Sequence, residues 1–288
     1  MTSPLFAAVI WLTGFLNTTV HPTYYPFPWA TTLHAARISL VHNGRIRALG
    51  TRAKLGSGPD YAGFLIFCWA GSLFSNFFLS LPPPQILSAY PTINYLSVHI
   101  LITYLLTNTS IPFPPPKVMD TFLPLIDAIL RSGSICSCVT LAHTHPNDAI
   151  SSSLFLQWFI GAVASAGGGI SSVTLDIWNP EWSFRTPPFL RGGVLDTLDM
   201  WSGSLAAAVY AMLLGFHPAY EPYTRFCARF VPGWAGPYVQ GTPLMSPLEA
   251  RGVCVIGLTG LYAFRVYRTH YAGKSSLKNV VAGKKKDL

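Results

Sequence analysis

Residues 61–81 read YAGFLIFCWAGSLFSNFFLSL, 21 positions without an Asp, Glu, Lys, Arg or His. An α-helix needs about 20 mostly apolar residues to cross about 30 Å of hydrocarbon, so this stretch is long enough to span a bilayer. The pattern recurs on both sides of it. Thr92–Phe113 is a second apolar run, ending in the breaker sequence IPFPPPK. Val118–Ala142 is long enough but carries Asp120, Asp127 and Arg131, and Ala149–Ile170 runs into Gly167-Gly168-Gly169. Gly193–Phe216 holds Asp196 and Asp199 near its start, and Gly252–Tyr271 closes the series with Arg265 and Arg268. Pro28–Val41, containing Arg37, reads as the first span. Leu5–Val20 is apolar but only 16 residues long, and reads as a lumenal or re-entrant lead-in. The expectation is an all-α polytopic membrane protein with seven transmembrane helices.

Composition agrees. Of 288 residues, 50% are hydrophobic and 10% charged, against about 25% charged in a soluble domain. Mean hydropathy is +0.39. These values exclude a disordered chain, a coiled coil and a soluble enzyme. The five cysteines, at 68, 136, 138, 227 and 254, have no framework spacing and suggest neither a disulfide scaffold nor a zinc site. Nineteen Lys and Arg face eleven Asp and Glu. In a membrane chain that excess sets orientation and lipid contact, and no soluble basic face points to nucleic acid.

Seven spans put the termini on opposite sides. With a cytosolic C-terminus, 14 basic residues fall on the cytosolic side and three (Arg225, Arg229, Arg251) on the other, with Arg37 and Arg131 inside spans. That bias follows the positive-inside rule. Asn17-Thr18-Thr19 would then be a lumenal glycosylation sequon and Asn108-Thr109-Ser110 a cytosolic one.

Ala70-Gly71-Ser72-Leu73-Phe74-Ser75 has a counterpart in Ala166-Gly167-Gly168-Gly169-Ile170-Ser171, and each is followed by a proline, Pro82 and Pro180. Residues 21–116 and 117–217 would be two copies of one three-helix unit, the second inverted because three is odd. Residues 252–272 add the seventh span and 273–288 a basic cytosolic tail, all within one membrane domain. Inverted repeats with glycine-interrupted helices point to a midplane binding or conduction site. Three glycines in a row predict a kink or unwound turn, with close helix packing as the alternative.

Asp120, Pro124, Asp127 and Arg131 recur at the spacing of one helix face. A charge at a helix centre costs about 2.5–3.5 kcal/mol on insertion scales, so the stripe should face the bundle interior or a water path. Asp127 and Arg131 stand in the favourable acid-first i,i+4 order. Asp196 and Asp199 would form an acidic vestibule or simply favour a helix N-terminus. His143, His145 and Asp148 read as an ordinary polar loop, and His99 as a packing or hydrogen-bonding histidine. No paired-carboxylate site, GxSxG, HExxH or phosphate loop appears, so neither an enzyme nor a metal site is expected.

The last five residues are Lys284-Lys285-Lys286-Asp287-Leu288. Lys285 and Lys286, fourth and third from the end, resemble the dilysine retrieval signal of endoplasmic reticulum membrane proteins.

Taken in order, these pieces resemble the trimeric intracellular cation (TRIC) channel family. Cys68-Trp69-Ala70-Gly71-Ser72 with Leu79-Ser80-Leu81-Pro82 resembles the family's second span. Span four is similar to the family segment K-E-V-x-R, with Arg131 on the arginine. Ala166-Gly167-Gly168-Gly169 and Trp178-Asn179-Pro180-Glu181 resemble the family's G-A-G-G and W-K-P-E. The likeness covers roughly 61–216 and implies a divergent eukaryotic member, with a fungus as the candidate source. It implies a homotrimer in membrane lipid, with a pore in each subunit. Those pores would conduct monovalent cations, chiefly potassium, across the endoplasmic reticulum membrane or nuclear envelope and offset charge during calcium release. Pore or gating candidates are Gly71, Asp120, Asp127, Arg131, Gly167, Gly168, Gly169, Asp196 and Asp199. The resemblance also implies a phosphoinositide near Arg131, Gly168 and Gly169, although Asp127 stands where the family has lysine. An ion-coupled secondary transporter with Asp127 as its ion site is the alternative.

Overall fold

Ser3 starts the first helix by accepting a hydrogen bond from the Phe6 N–H, and Pro4 takes the first helical position, where a missing N–H costs nothing. The structure is a computed structural model that describes residues 3–110, 112–230, 239 and 241–272. In chain order the helices are α1 (Pro4–Leu16), α2 (Trp29–Leu49), α3 (Ser57–Phe78), α4 (Pro84–Leu87), α5 (Tyr90–Asn108) and α6 (Pro116–Phe122). There follow α7 (Pro124–His143), α8 (Asp148–Ser151), α9 (Leu154–Leu175), α10 (Leu198–Leu213), α11 (Glu221–Ala228) and α12 (Pro247–Val266). The lead-in is the helix α1 followed by a small antiparallel hairpin of β1 (Thr19–His21) and β2 (Tyr25–Pro28), which leads into α2.

A long helix lies at each of the seven expected spans. Among the described residues, however, only α3, α7 and α9 are long and apolar enough to cross a membrane. Leu198–Leu213 with Pro218–Ala228, bent by 89°, adds a fourth if the pair is one span. The remaining long helices carry more polar side chains, such as Arg37, His42 and Asn43 in α2. At 13 residues α1 is about 20 Å long, shorter than the hydrocarbon core.

Two expectations are corrected. The segment Val118–Ala142 is not one helix: it breaks at Leu123 between α6 and α7. Pro124 has no N–H to give and its ring crowds the carbonyl four residues back, that of Asp120. Asp120 therefore belongs to a separate short helix. The unwound turn expected at Gly167–Gly169 is absent. α9 runs unbroken to Leu175 and ends where Asp176 turns left-handed, at φ 52°.

Packing explains the glycines. α9 lies against α10, α3 and α7, and α3 crosses it at the paired glycine segments. A Cβ at Gly167 would sit 2.6 Å from the Gly71 Cα, and one at Gly71 would sit 3.1 Å from the carbonyl oxygens of Val163 and Ala164. Backbone meets backbone there, the small-residue packing that helices use where lipid removes the hydrophobic drive to associate.

The main apolar cluster joins α7, α9, α10 and α12, with α1 along its edge, while Ala35, Ile38, Phe64 and Tyr95 pack α2, α3 and α5 together. A third cluster docks Ile177 and Trp178 on Ile46 and Leu55, and the Thr51 hydroxyl donates to the Trp178 carbonyl at 2.7 Å. Polar groups are unusually deep: Ser39, His42, Asp60, His99, Asp127, Gln157 and Ser202 are all buried. Phe77, Phe122, Phe155 and Leu101 face outward instead. Large apolar side chains outside and polar ones inside are what an apolar solvent favours.

Candidate functional site

The α7 turn that begins at Pro124 places Asp127 and Arg131 on its inner face, where Arg131 Nε donates to Asp127 Oδ1 at 2.9 Å. From α2, Arg37 reaches the other oxygen, Oδ2, at 2.8 Å. Arg131 then extends across the bundle. Its Nη2 meets Asp199 Oδ2 at 3.4 Å, and Arg265 from the last turn of α12 takes Asp199 Oδ1 at 2.9 Å. The result is an alternating chain, Arg37–Asp127–Arg131–Asp199–Arg265, drawn from α2, α7, α10 and α12. Every carboxylate oxygen in it is held by a guanidinium, and three cations face two anions.

Two further contacts fix Arg131. Its Nη1 donates to the Ser165 carbonyl at 2.6 Å, which ties it to α9 just before the glycine run. Tyr262, only 1% exposed, lies under both Arg131 and Arg265, whose guanidinium carbons are 5.4 and 5.2 Å from its ring centre. Charges drawn out of water are tolerated only when paired and hydrogen-bonded in this way.

Both ends of the chain, Arg37 with Asp127 and Arg265, line a cavity of about 260 Å³, together with Tyr262, Asp120 and His270. Asp120 Oδ2 pairs with His270 Nε2 at 2.8 Å at this wall. A larger cleft of about 590 Å³, framed by Pro112, Pro114, Pro115 and Pro116, has Arg47 as its charged residue and none of the chain.

The sequence candidates thus separate. Asp127, Arg131 and Asp199 meet in one network, and Asp120 lines the same cavity. Asp196 does not join: its carboxylate accepts from the Gly193 N–H at 2.9 Å in an exposed turn. Gly71, Gly167 and Gly168 lie at the α3–α9 crossing beside the Arg131 anchor. Gly169 faces open space. Lys285 and Lys286 lie outside the described residues. Arg37 and Arg265 entered the sequence argument as topology markers, and Tyr262 did not enter it. Arg251, counted among the outer charges, folds inward along α7 over Gly133, and its Nη2 donates to the Ile129 carbonyl at 3.2 Å.

His143 lies at the end of α7 rather than in the loop after it. His143 stacks on Phe216, and His145 Nδ1 accepts from the Asn147 N–H. His99 is buried against Phe64, but it also faces His42 and Asp60, a grouping that sequence spacing did not suggest.

Among characterised proteins, the chain is similar to the trimeric intracellular cation channel type B-A of Xenopus laevis. It is 28% identical over 153 residues, which cover 47% of this chain and 50% of that protein. It is also similar to the trimeric intracellular cation channel type B of Xenopus tropicalis, 27% identical over 195 residues, 60% of this chain and 63% of that one. The chain therefore matches between half and 63% of the length of these relatives. Both are channels by name, and neither lends support to a fungal origin. No family model and no solved structure matches.

Proposed function

We propose that the protein is a monovalent cation channel, potassium-permeable, of the endoplasmic reticulum membrane, working as a homotrimer and carrying counter-ion current during calcium release. The likeness to two proteins named as trimeric cation channels supports this reading, and Arg131 is the observation that carries it. One guanidinium bridges two aspartates and holds the α9 backbone beside the α3–α9 crossing. With every oxygen of Asp127 and Asp199 occupied, the path is closed by its own ion pairs. Opening requires Arg131 to let go of one partner. The 3.4 Å contact with Asp199 is the longest of its polar contacts and is the one that yields.

The matched glycine segments support two inverted three-helix halves meeting at that crossing. The charge bias supports a lumenal N-terminus and a cytosolic C-terminus. A phosphoinositide headgroup would find Arg37 and Arg265 in the cavity wall, but must compete with Asp127 for Arg131.

Recording from purified protein in planar bilayers tests the reading. Wild type should pass potassium current, Arg131→Ala should change open probability, and Gly168→Leu should abolish conduction. Wild-type protein that passes no cation current at any voltage overturns it. An ion-coupled transporter would instead need Asp127 to hold an ion, and both its oxygens are taken by arginines. Gradient-driven uptake lost in Asp127→Asn would favour that alternative.

A further inference from the structure

Away from the arginine chain, α2, α3 and α5 each contribute one side chain to a second buried cluster. His42 comes from α2, Asp60 from the first turn of α3 and His99 from α5. Both histidines are fully buried and Asp60 is 4% exposed. His42 Nε2 lies 2.9 Å and His99 Nε2 3.7 Å from the same oxygen, Asp60 Oδ1, and the three atoms all lie within 4.8 Å of one another.

The surroundings orient these atoms. His99 Nδ1 is 2.8 Å from the Ser39 hydroxyl, and the Phe64 ring stacks on its imidazole at 4.0 Å. A proton on Nδ1, given to Ser39, leaves the Nε2 lone pair aimed at the cluster. That nitrogen has no hydrogen-bond partner, and 3.7 Å is too long to count Asp60 as one. A fully buried nitrogen without a partner is rare in a folded protein and calls for an explanation. Asp60 Oδ2 is held by Arg52 at 2.7 Å, which turns Oδ1 toward the two imidazoles. Arg52 also donates to the Asn43 side-chain oxygen Oδ1, and Asn43 Nδ2 donates to Thr103 at 3.0 Å, so the second layer is connected.

We propose that His42 Nε2, His99 Nε2 and Asp60 Oδ1 form a binding site for a divalent transition-metal ion of the Zn²⁺ type. Ligand atoms around tetrahedral zinc stand about 3.3 Å apart, and the observed 2.9 and 3.7 Å bracket that spacing. Two imidazoles and one carboxylate suit zinc and its neighbours, whereas Ca²⁺ and Mg²⁺ take oxygen. Hydrogen bonds behind a ligating carboxylate and a ligating histidine are the usual outer layer of such sites. A bound ion would tie α2, α3 and α5 together at one point, and three protein ligands leave a fourth position for water.

The test uses the full-length protein in detergent, stripped with a chelator and titrated with Co²⁺ as a visible probe. One Co²⁺ per chain should bind with the absorption of a four-coordinate nitrogen–oxygen site, and Zn²⁺ should displace it and raise the melting temperature. His42→Gln and His99→Gln should each weaken binding by at least about tenfold, while His145→Ala should not. X-ray absorption on the wild-type complex should show two imidazoles and no sulfur, an independent readout should either variant fail to fold. No saturable binding, sulfur ligation, or affinity unchanged in both glutamine variants would overturn the proposal.

Discussion

Arg131 makes polar contacts with three helices: its own, through Asp127; α9, through the Ser165 carbonyl; and α10, through Asp199. Removing it leaves each aspartate with a single guanidinium and the Ser165 carbonyl without its donor. Breaking a buried ion pair on one side typically costs about 3–5 kcal/mol. Arg131→Ala should therefore lower the melting temperature of the detergent-solubilised protein markedly. Arg131→Lys should recover only part of the loss, since an ammonium cannot match the planar fork. Asp196→Ala, in an exposed turn of its own making, should stay within about 0.5 kcal/mol of wild type. A melt in which the two alanine variants behave alike would deny Arg131 its central place. The i,i+4 pairing of Asp127 with Arg131 was legible from spacing alone. The partners of Asp199 lie 68 and 66 residues away, and they depend on how α7, α10 and α12 are rotated against one another. Local spacing carries no such information. Asp60 stands one position before the uncharged run, and its histidine partners come from α2 and α5, which local spacing does not bring together.

Between elements, the α3–α9 crossing decides whether the glycine run breaks a helix or packs one. Sequence similarity links the Gly71 and Gly167 segments, which meet at this crossing, but the same glycines suggested unwinding. Each helix in fact keeps its own hydrogen bonds, and the missing side chains are used for contact across the crossing. Neighbouring positions on α9 should therefore respond in opposite ways. Gly167→Leu would drive its Cβ against the Gly71 backbone, which cannot swing aside, and overpacking of this kind typically costs about 1–3 kcal/mol. Gly169→Leu meets nothing within 4 Å and should be tolerated. Thermal melting of the two variants checks this, and equal destabilisation would mean that the close α3–α9 approach is not what sets Gly167 apart from Gly169. The break at Leu123 had a readable cause in Pro124. The apolar run around it hid the break, because hydropathy is blind to a single missing N–H.

For the whole molecule, the arrangement turns on α2. This helix carries Arg37, His42 and Asn43, too polar a set to register as a span by hydropathy, yet its 21 residues extend about 30 Å. Its polar side chains are answered from inside the bundle. Arg37 meets Asp127, His42 meets Asp60, and Asn43 meets Ser39 and Thr103. A helix whose polar groups are satisfied by neighbours can lie in lipid despite its composition. If α2 crosses the membrane, the hairpin before it and the loop after it lie on opposite sides. Tyr24, 86% exposed at the hairpin tip, and Lys54, exposed in the α2–α3 loop, mark the two ends. In a cysteine-free background on sealed microsomes, Lys54→Cys should react with a membrane-impermeant maleimide at once. Tyr24→Cys should react only after the vesicles are opened. The excess of basic residues assigned to the loop side demands that order, since Arg45, Arg47, Arg52 and Lys54 cluster there. Labelling of both positions from one side would keep α2 out of the membrane, reverse the sense of every later helix and remove the inverted pairing of the two halves.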